Sequence, residues 1–241
     1  MRVVISQSML FPWVGLLEQV RLADVFVHYD DVQFSKGSFV NRVQIKTPQG
    51  MRWMTVPLVN FHLGQRINKV RVAPHAQWRD IHLSLLKSSF SGAPYAEDAL
   101  QLAAMVYASE YPNLGALACA SLNALINYFG LDKDTRFVDI GALDISGVSS
   151  ERVLSIVRKL HGDVYVTGHG AARYLNHDLF DAAGVRVEYV NYRFRPYSQL
   201  HGKFTPYVSG LDLVANCGRS GIEYICSSTI SWRDFINGST L

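Results

Sequence analysis

The chain has 241 residues, of which 49% are hydrophobic and 18% charged, and its formal net charge is +3. That length and apolar share suffice for one sizeable buried core, while the scattered Lys and Arg residues leave no basic face for nucleic acid and no stripe for a membrane surface. No run of about twenty apolar residues is available to span a bilayer, and the chain does not open on a basic segment followed by an apolar stretch. A cytoplasmic protein without a membrane span is expected. Cys119, Cys217 and Cys226 form no CxxC pair and cannot all be bridged, which points to reduced thiols. Cys119 falls in an apolar run and reads as a small core residue, and Cys217 lies beside Gly218 at a helix end.

In chain order, residues 3–5 read as a short buried strand, 7–15 as a turn, 15–23 as a helix, and 25–27 as a second strand ending in His28, Tyr29, Asp30 and Asp31. Pro48-Gln49-Gly50 between two alternating runs predicts a β-hairpin inserted over about 41–59. Segment 77–130 reads as helical: apolar spacings of three and four predict helices over 77–90 and 97–110, and Asn113 is placed to cap a longer one that stops at Gly130. A second α/β half follows from about 136 to 241. It has a strand over 137–140, a helix opened by Gly147-Val148-Ser149-Ser150 with serine caps, and a strand over 164–167 running into the turn Gly168-His169-Gly170. A short helix over 179–183, a strand over 185–190 and a helix over 207–215 complete it. The expected fold is a single α/β domain, a mainly parallel sheet flanked by helices, with the hairpin after the second strand. Such sheets bind ligands outside the carboxyl ends of their strands, so a small-molecule substrate is expected near Gln7, Asp30, Asp31, Gly168 and His169.

Asp30 and Asp31 are adjacent carboxylates, one of which tends to carry a raised pKa and to serve as a base or hold a hard divalent cation. Strand neighbours point oppositely, so one is expected in the pocket and the other at a turn. Lys36 and Arg42 suit phosphate or carboxylate, Arg42 in bidentate fashion; the competing reading is a pair of solvated loop cations. His169, between two glycines, reads either as a general acid/base or phosphate contact or as a plain turn histidine. Tyr197, Gln199, His201 and Lys203 form a polar loop able to close over a sugar. Asp212, in an apolar helix, reads first as a paired carboxylate and second as a catalytic one. The histidines show no i, i+4 pairing and no thiolate partner at zinc spacing, so no metal ligand is assigned. The cofactor is left unknown, and oligomeric state, a homo-oligomer included, is left open.

Gln7, Phe11-Pro12-Trp13, Gly15, Ala23 to Val27, Tyr29 to Phe34, Lys36, Asn41-Arg42 and Val56-Pro57 resemble the opening signature of the WbqC-like proteins. Leu85 to Tyr95, Tyr165 to Gly168, Tyr174-Leu175, Pro196 to Gln199 and Phe204 to Ser209 with Leu211-Asp212-Leu213 resemble its later blocks, so the likeness spans nearly the whole chain. Ser8 departs from it, standing where the family commonly has proline, a change expected to alter the turn's rigidity without removing a chemical group. The resemblance implies a setting in bacterial O-antigen and other surface-polysaccharide building. From the residue readings above taken with these matching blocks, Gln7, Trp13, Gln33, Lys36, Asn41, Arg42, Gly168, Tyr197, Gln199 and Asp212 are assigned to substrate binding, and Asp30, Asp31 and His169, the last outside the matching blocks, to catalysis. The expected activity is transfer of an acyl or aminoacyl group to an amino sugar or sugar nucleotide. The alternatives are a magnesium-dependent nucleotidyltransferase and a non-catalytic sugar-nucleotide-binding subunit of a glycan assembly complex. A weaker likeness to nucleotidyltransferase-type α/β proteins stops at Trp13-Val14-Gly15-Leu16, where their His-x-Gly-His would stand.

Overall fold

The computed structural model describes residues 1–238. The first apolar run forms β1 (Arg2–Ser6), and a turn leads through α1 (Val14–Arg21) to β2 (Val25–His28). An antiparallel hairpin follows, β3 (Arg42–Thr47) with β4 (Gly50–Thr55), then a short antiparallel pair, β5 (Leu58–Val59) with β6 (Arg71–Val72). Three helices come next, α2 (Arg79–Ser89), α3 (Ala96–Tyr107) and α4 (Leu114–Phe129). The second half runs β7 (Arg136–Asp139), α5 (Ser149–Lys159), β8 (Val164–Thr167), α6 (His177–Ala182), β9 (Arg186–Asn191), α7 (Gly210–Cys217), β10 (Ser228–Ser231) and α8 (Trp232–Gly238).

The main sheet has six strands in the order β10-β9-β8-β1-β2-β7, all parallel except β10. From β1 the chain steps outward through β2 to β7, then crosses back to lay β8, β9 and β10 on the other side of β1. The direction therefore reverses between β1 and β8, whose register pairs Val3 with Tyr165 and Val4 with Val166. Crossovers of one hand put the helices of the two half-sheets on opposite faces. Alternation along the strands obeys this: Val4, Phe26 and Val166 share one buried cluster with α1 and α4, whereas Val3, Ile5, Val27 and Tyr165 pack with Val153 and Ile156 of α5 and Phe180 of α6; α7, which leads to antiparallel β10 and so is not a parallel crossover, joins the first cluster. A satellite cluster of Phe34, Val40, Ile67, Val70, Leu114 and Ala118 supports the loops over the start of α4.

The ends of α4 follow from its sequence. Asn113 Oδ1 accepts from the Ala116 amide at 2.9 Å, and Gly130 closes the helix at φ 67°. At α5 the expected serine cap is absent: Val148 stands at the cap without a side-chain bond, and Ser149 adopts φ 52°. Ser150 instead accepts from the Asn176 amide at 2.9 Å, tying α5 to the approach of α6. The last predicted helix starts later than residue 207, at Gly210, because Ser209 Oγ accepts from the Leu211 amide while donating to the Phe11 carbonyl.

Candidate functional site at the switch point

The carboxyl ends of β1 and β8 part where the chain direction reverses, and a cleft of about 910 Å³ opens there. Crevices at such points are where open α/β sheets take ligands. Ser6 and Gln7 line the cleft from β1, and Thr167, Gly168, His169 and Gly170 from β8, with Tyr29 from the exit of β2. The opposite wall is aromatic. Trp13 lies 5.3 Å from Tyr192, 6.2 Å from Phe194 and 5.8 Å from Tyr207, centroid to centroid, tilted by 40–43° to each. Gly15 gives the indole its place, since a Cβ there would stand 2.2 Å from a ring carbon. Gly168 is packed less severely: its Cβ would meet Gln19 Nε2 and the Tyr192 hydroxyl at 3.2 Å each, so these two side-chain ends, which bond each other across the turn, would have to give slightly.

His169 belongs to a short 3₁₀ turn after β8. Its Nε2 donates to the Val190 carbonyl at 2.8 Å, which places the proton on that nitrogen because a carbonyl only accepts. Nδ1 is then an acceptor with no protein partner among the described residues. The ring is held from the sides by Tyr192 and Phe235, at 4.9 and 4.6 Å.

Neither aspartate of β2's exit is among the residues lining this cleft. Asp31 forms a two-armed ion pair with Arg152 of α5, at 3.0 and 2.5 Å. The same guanidinium lies 5.0 Å over the Tyr29 ring and donates to its hydroxyl at 3.3 Å, so the pair positions Tyr29 at the cleft. Asp30 turns to the other face, against α4. Its Oδ1 accepts from the Ser8 amide at 2.8 Å, and the Ser8 hydroxyl lies 3.1 Å from His28 Nδ1. Burial lifts the Asp30 carboxyl to about 6, the bonds from Ser8 hold it down, and Asp139 and Asp31 add repulsion. Burial likewise keeps His28 below the usual imidazole range, against the pull of Asp139. The Cys119 thiol beside this cluster is raised to about 11, by burial first and then by Asp30, and stays protonated at neutral pH.

The Asp30 environment has a measurable consequence. A carboxyl whose folded pKa exceeds its unfolded one binds protons more tightly in the native state, so it costs stability as pH rises from about 4 to about 6. Asp30→Asn keeps the acceptor for Ser8 and removes the charge. In urea titrations the variant is expected to gain on the parent by about 3 kcal/mol between pH 4 and pH 7.5; a pH-independent difference would show that the carboxyl is not buried as described.

The model of the WbqC-like protein family matches residues 7–224 of this chain. The chain belongs to the WbqC-like protein family. It is 33% identical over 227 residues to a Mycobacterium tuberculosis (strain ATCC 25618 / H37Rv) protein described as "Uncharacterized protein Rv1507c", covering 93% of this chain and 97% of that one. No solved structure matches.

Of the positions carried over from the WbqC-like signature, Gln7, Trp13 and Gly168 meet in the cleft, together with His169, which stands out in the sequence by its place between two glycines. Arg42 and Lys36 stand outside the lining, Lys36 on the loop whose Phe39 contributes to it and Arg42 at the start of β3. The Arg42 guanidinium lies 4.0 Å over Trp53 and donates to the Gly37 carbonyl, leaving its Nε unbonded, while Lys36 and Gln33 face solvent. Asn41 is buried, donating to the Val56 carbonyl at 3.1 Å with its Oδ1 unbonded. Tyr197, Gln199 and Asp212 form a separate interior network. Tyr197 donates to Asp212 at 2.8 Å, Gln199 Nε2 donates to Tyr197 at 3.0 Å, and Gln199 Oε1 accepts from buried Lys46 at 3.2 Å. These bonds tie the hairpin to residues 199–205 and leave Gln199 saturated. Burial raises the Asp212 carboxyl, opposed by Tyr197 and Lys46. The departure at Ser8 removes more than rigidity: proline has no amide proton and no hydroxyl, so only a residue such as serine makes both contacts to Asp30 and His28. Sequence reasoning missed Tyr29, Gln19, Tyr192 and Phe194, whose one visible signal is the alternation Tyr192-Arg193-Phe194 directly after a strand.

Proposed function

We propose that this WbqC-like protein transfers an acyl or aminoacyl group to the amine of a sugar in bacterial surface-polysaccharide synthesis. The observation that carries this reading is His169: an imidazole whose Nε2 is tied to Val190 and whose Nδ1 is left as an acceptor at the switch-point cleft. In the reaction the neutral amine attacks the acyl carbonyl, a C–N bond forms and the bond to the donor's leaving group breaks. His169 Nδ1 takes the amine proton and returns it to the leaving group. Gln7 and Tyr29 orient the acceptor, and Arg42 and Lys36, outside the cleft lining, hold the charged end of the donor. Asp30 and Asp31 serve as support, one under β1's exit and the other through Arg152 behind Tyr29. Magnesium-dependent nucleotidyl transfer draws little from this donor set, since Asp31 is committed to Arg152, and no cluster of His, Cys, Asp or Glu suited to a metal occurs among the described residues.

The test is mass spectrometry of a panel of amino sugars, free and nucleotide-linked, incubated with the protein and acyl-thioester or aminoacyl donors. A sugar heavier by the acyl mass is the expected product. Pyrophosphate release from a nucleoside triphosphate and a sugar phosphate, with no acyl gain in any pair, would replace this reading with nucleotidyl transfer; thermal stabilisation by sugar nucleotides with neither product would leave a binding subunit.

A further inference from the structure

We infer that the interior of the cleft selects an uncharged, polyhydroxylated ring, a pyranose with neutral substituents, and keeps phosphate outside. This deepens the group-transfer reading by naming what its acceptor pocket accepts. The first observation is chemical: no Asp, Glu, Lys or Arg is among the residues lining a cavity of about 910 Å³. A diphosphate drawn into such a lining loses its water and meets no cation, a cost that a few neutral hydrogen bonds do not offset. Besides the His169 imidazole, the polar groups present are amides and hydroxyls, among them Ser6, Gln7, Gln19, Thr167, Tyr29 and Tyr174, which both donate and accept as sugar hydroxyls do.

The second observation is shape. Trp13 is tilted by 43° to Tyr192 and by 40° to Phe194 and to Tyr207, while Tyr192 and Phe194 are themselves nearly parallel, 6° apart with centroids at 5.8 Å, so the wall bends where the indole meets this stacked pair. A flat base stacks between parallel faces, whereas the axial C–H groups of a puckered ring fit a concave one. Phe194 is 41% and Tyr207 52% exposed, large aromatic faces standing open at the mouth of the cleft. Arg193 and Arg195, which flank Phe194 in the chain, line a separate cavity with Glu18 and Tyr224, and exposed Arg173 beside Tyr174 is outside the cleft lining, so these cations and those on either side of Phe39 would meet a charged partner only outside this wall.

The experiment is titration of the full chain with neutral methyl pyranosides, read by tryptophan fluorescence and calorimetry. Binding is expected to change by less than about twofold between roughly 50 and 500 mM salt, because no ion pair contributes, and neither pyrophosphate nor adenosine should compete. Tyr207→Ala, at an exposed position, should weaken binding by about tenfold, as should Trp13→Ala if it folds. Competition by pyrophosphate, tighter binding of adenosine, a steep salt dependence, or unchanged affinity in the Tyr207 variant would each overturn the inference. Glycoside binding by a protein that transfers nothing leaves the inference standing and removes the transferase, whereas acyl transfer that pyrophosphate inhibits competitively against the acceptor does the reverse.

Discussion

His169→Ala is expected to lower turnover by about 10²–10⁴-fold, the usual worth of a positioned general base, with little loss of fold. The ring contributes one hydrogen bond to the Val190 carbonyl and tilted ring contacts to Tyr192 and Phe235. Losing that bond costs about 1 kcal/mol, or about 2–4 °C in melting temperature for a chain of this size. His169→Gln separates the roles further, because a glutamine amide can still donate to Val190 but offers no basic nitrogen. Both variants should bind a neutral acceptor nearly as well as the parent while failing to turn it over. Turnover within about threefold of the parent in His169→Gln would show that the imidazole is a turn residue, since removing a general base costs far more than that.

How far the sequence reveals this arrangement depends on whether a signal is local. Asn113 and Gly130 bracket α4 because capping and left-handed closure are decided within a few residues. The strands at the sheet's centre are legible because burial on both faces demands continuous apolar runs such as Val25-Phe26-Val27. β10 is not, because its residues, Ser228, Thr229, Ile230 and Ser231, lack any alternation of apolar and polar types and form an edge strand with one strongly apolar side chain. The site divides the same way. Gln7 and His169 are readable from their place after a strand, but the choice between Tyr29, Asp30 and Asp31 turns on what packs on each face of β2. Arg152, more than a hundred residues away in sequence, takes Asp31, and α4 covers Asp30. Tyr192 and Phe194 lie just beyond the end of β9, where no period announces which way an aromatic ring will face.

Glu18 is the clearest case of a residue whose role its neighbours in sequence conceal, and its replacement should have the largest effect on stability. In sequence it is a polar residue on a surface-type helix; in the fold it is 1% exposed. Its Oε1 accepts from the Cys226 amide at 2.7 Å, the Ser227 amide at 3.0 Å and the Ser227 hydroxyl at 2.9 Å, and its Oε2 pairs with Arg21. Ser227 Oγ in turn accepts from the Arg193 amide at 3.0 Å, so the carboxylate anchors the residue between Tyr192 and Phe194. Glu18→Ala strands several buried donors at once and is expected to cost about 3–5 kcal/mol, lowering the melting temperature by about 10 °C. Glu18→Gln retains one acceptor oxygen but turns an amide N–H toward Arg21, so an intermediate loss of about 2 kcal/mol is expected. Because the same chain of bonds holds the aromatic wall, both variants should lose glycoside affinity even well below their melting temperatures. Differential scanning calorimetry checks the first part and titration at low temperature the second. A Glu18→Ala protein melting within about 2 °C of the parent would mean that water replaces the carboxylate at little cost, and the link from α1 through Ser227 to the cleft wall would have to be abandoned.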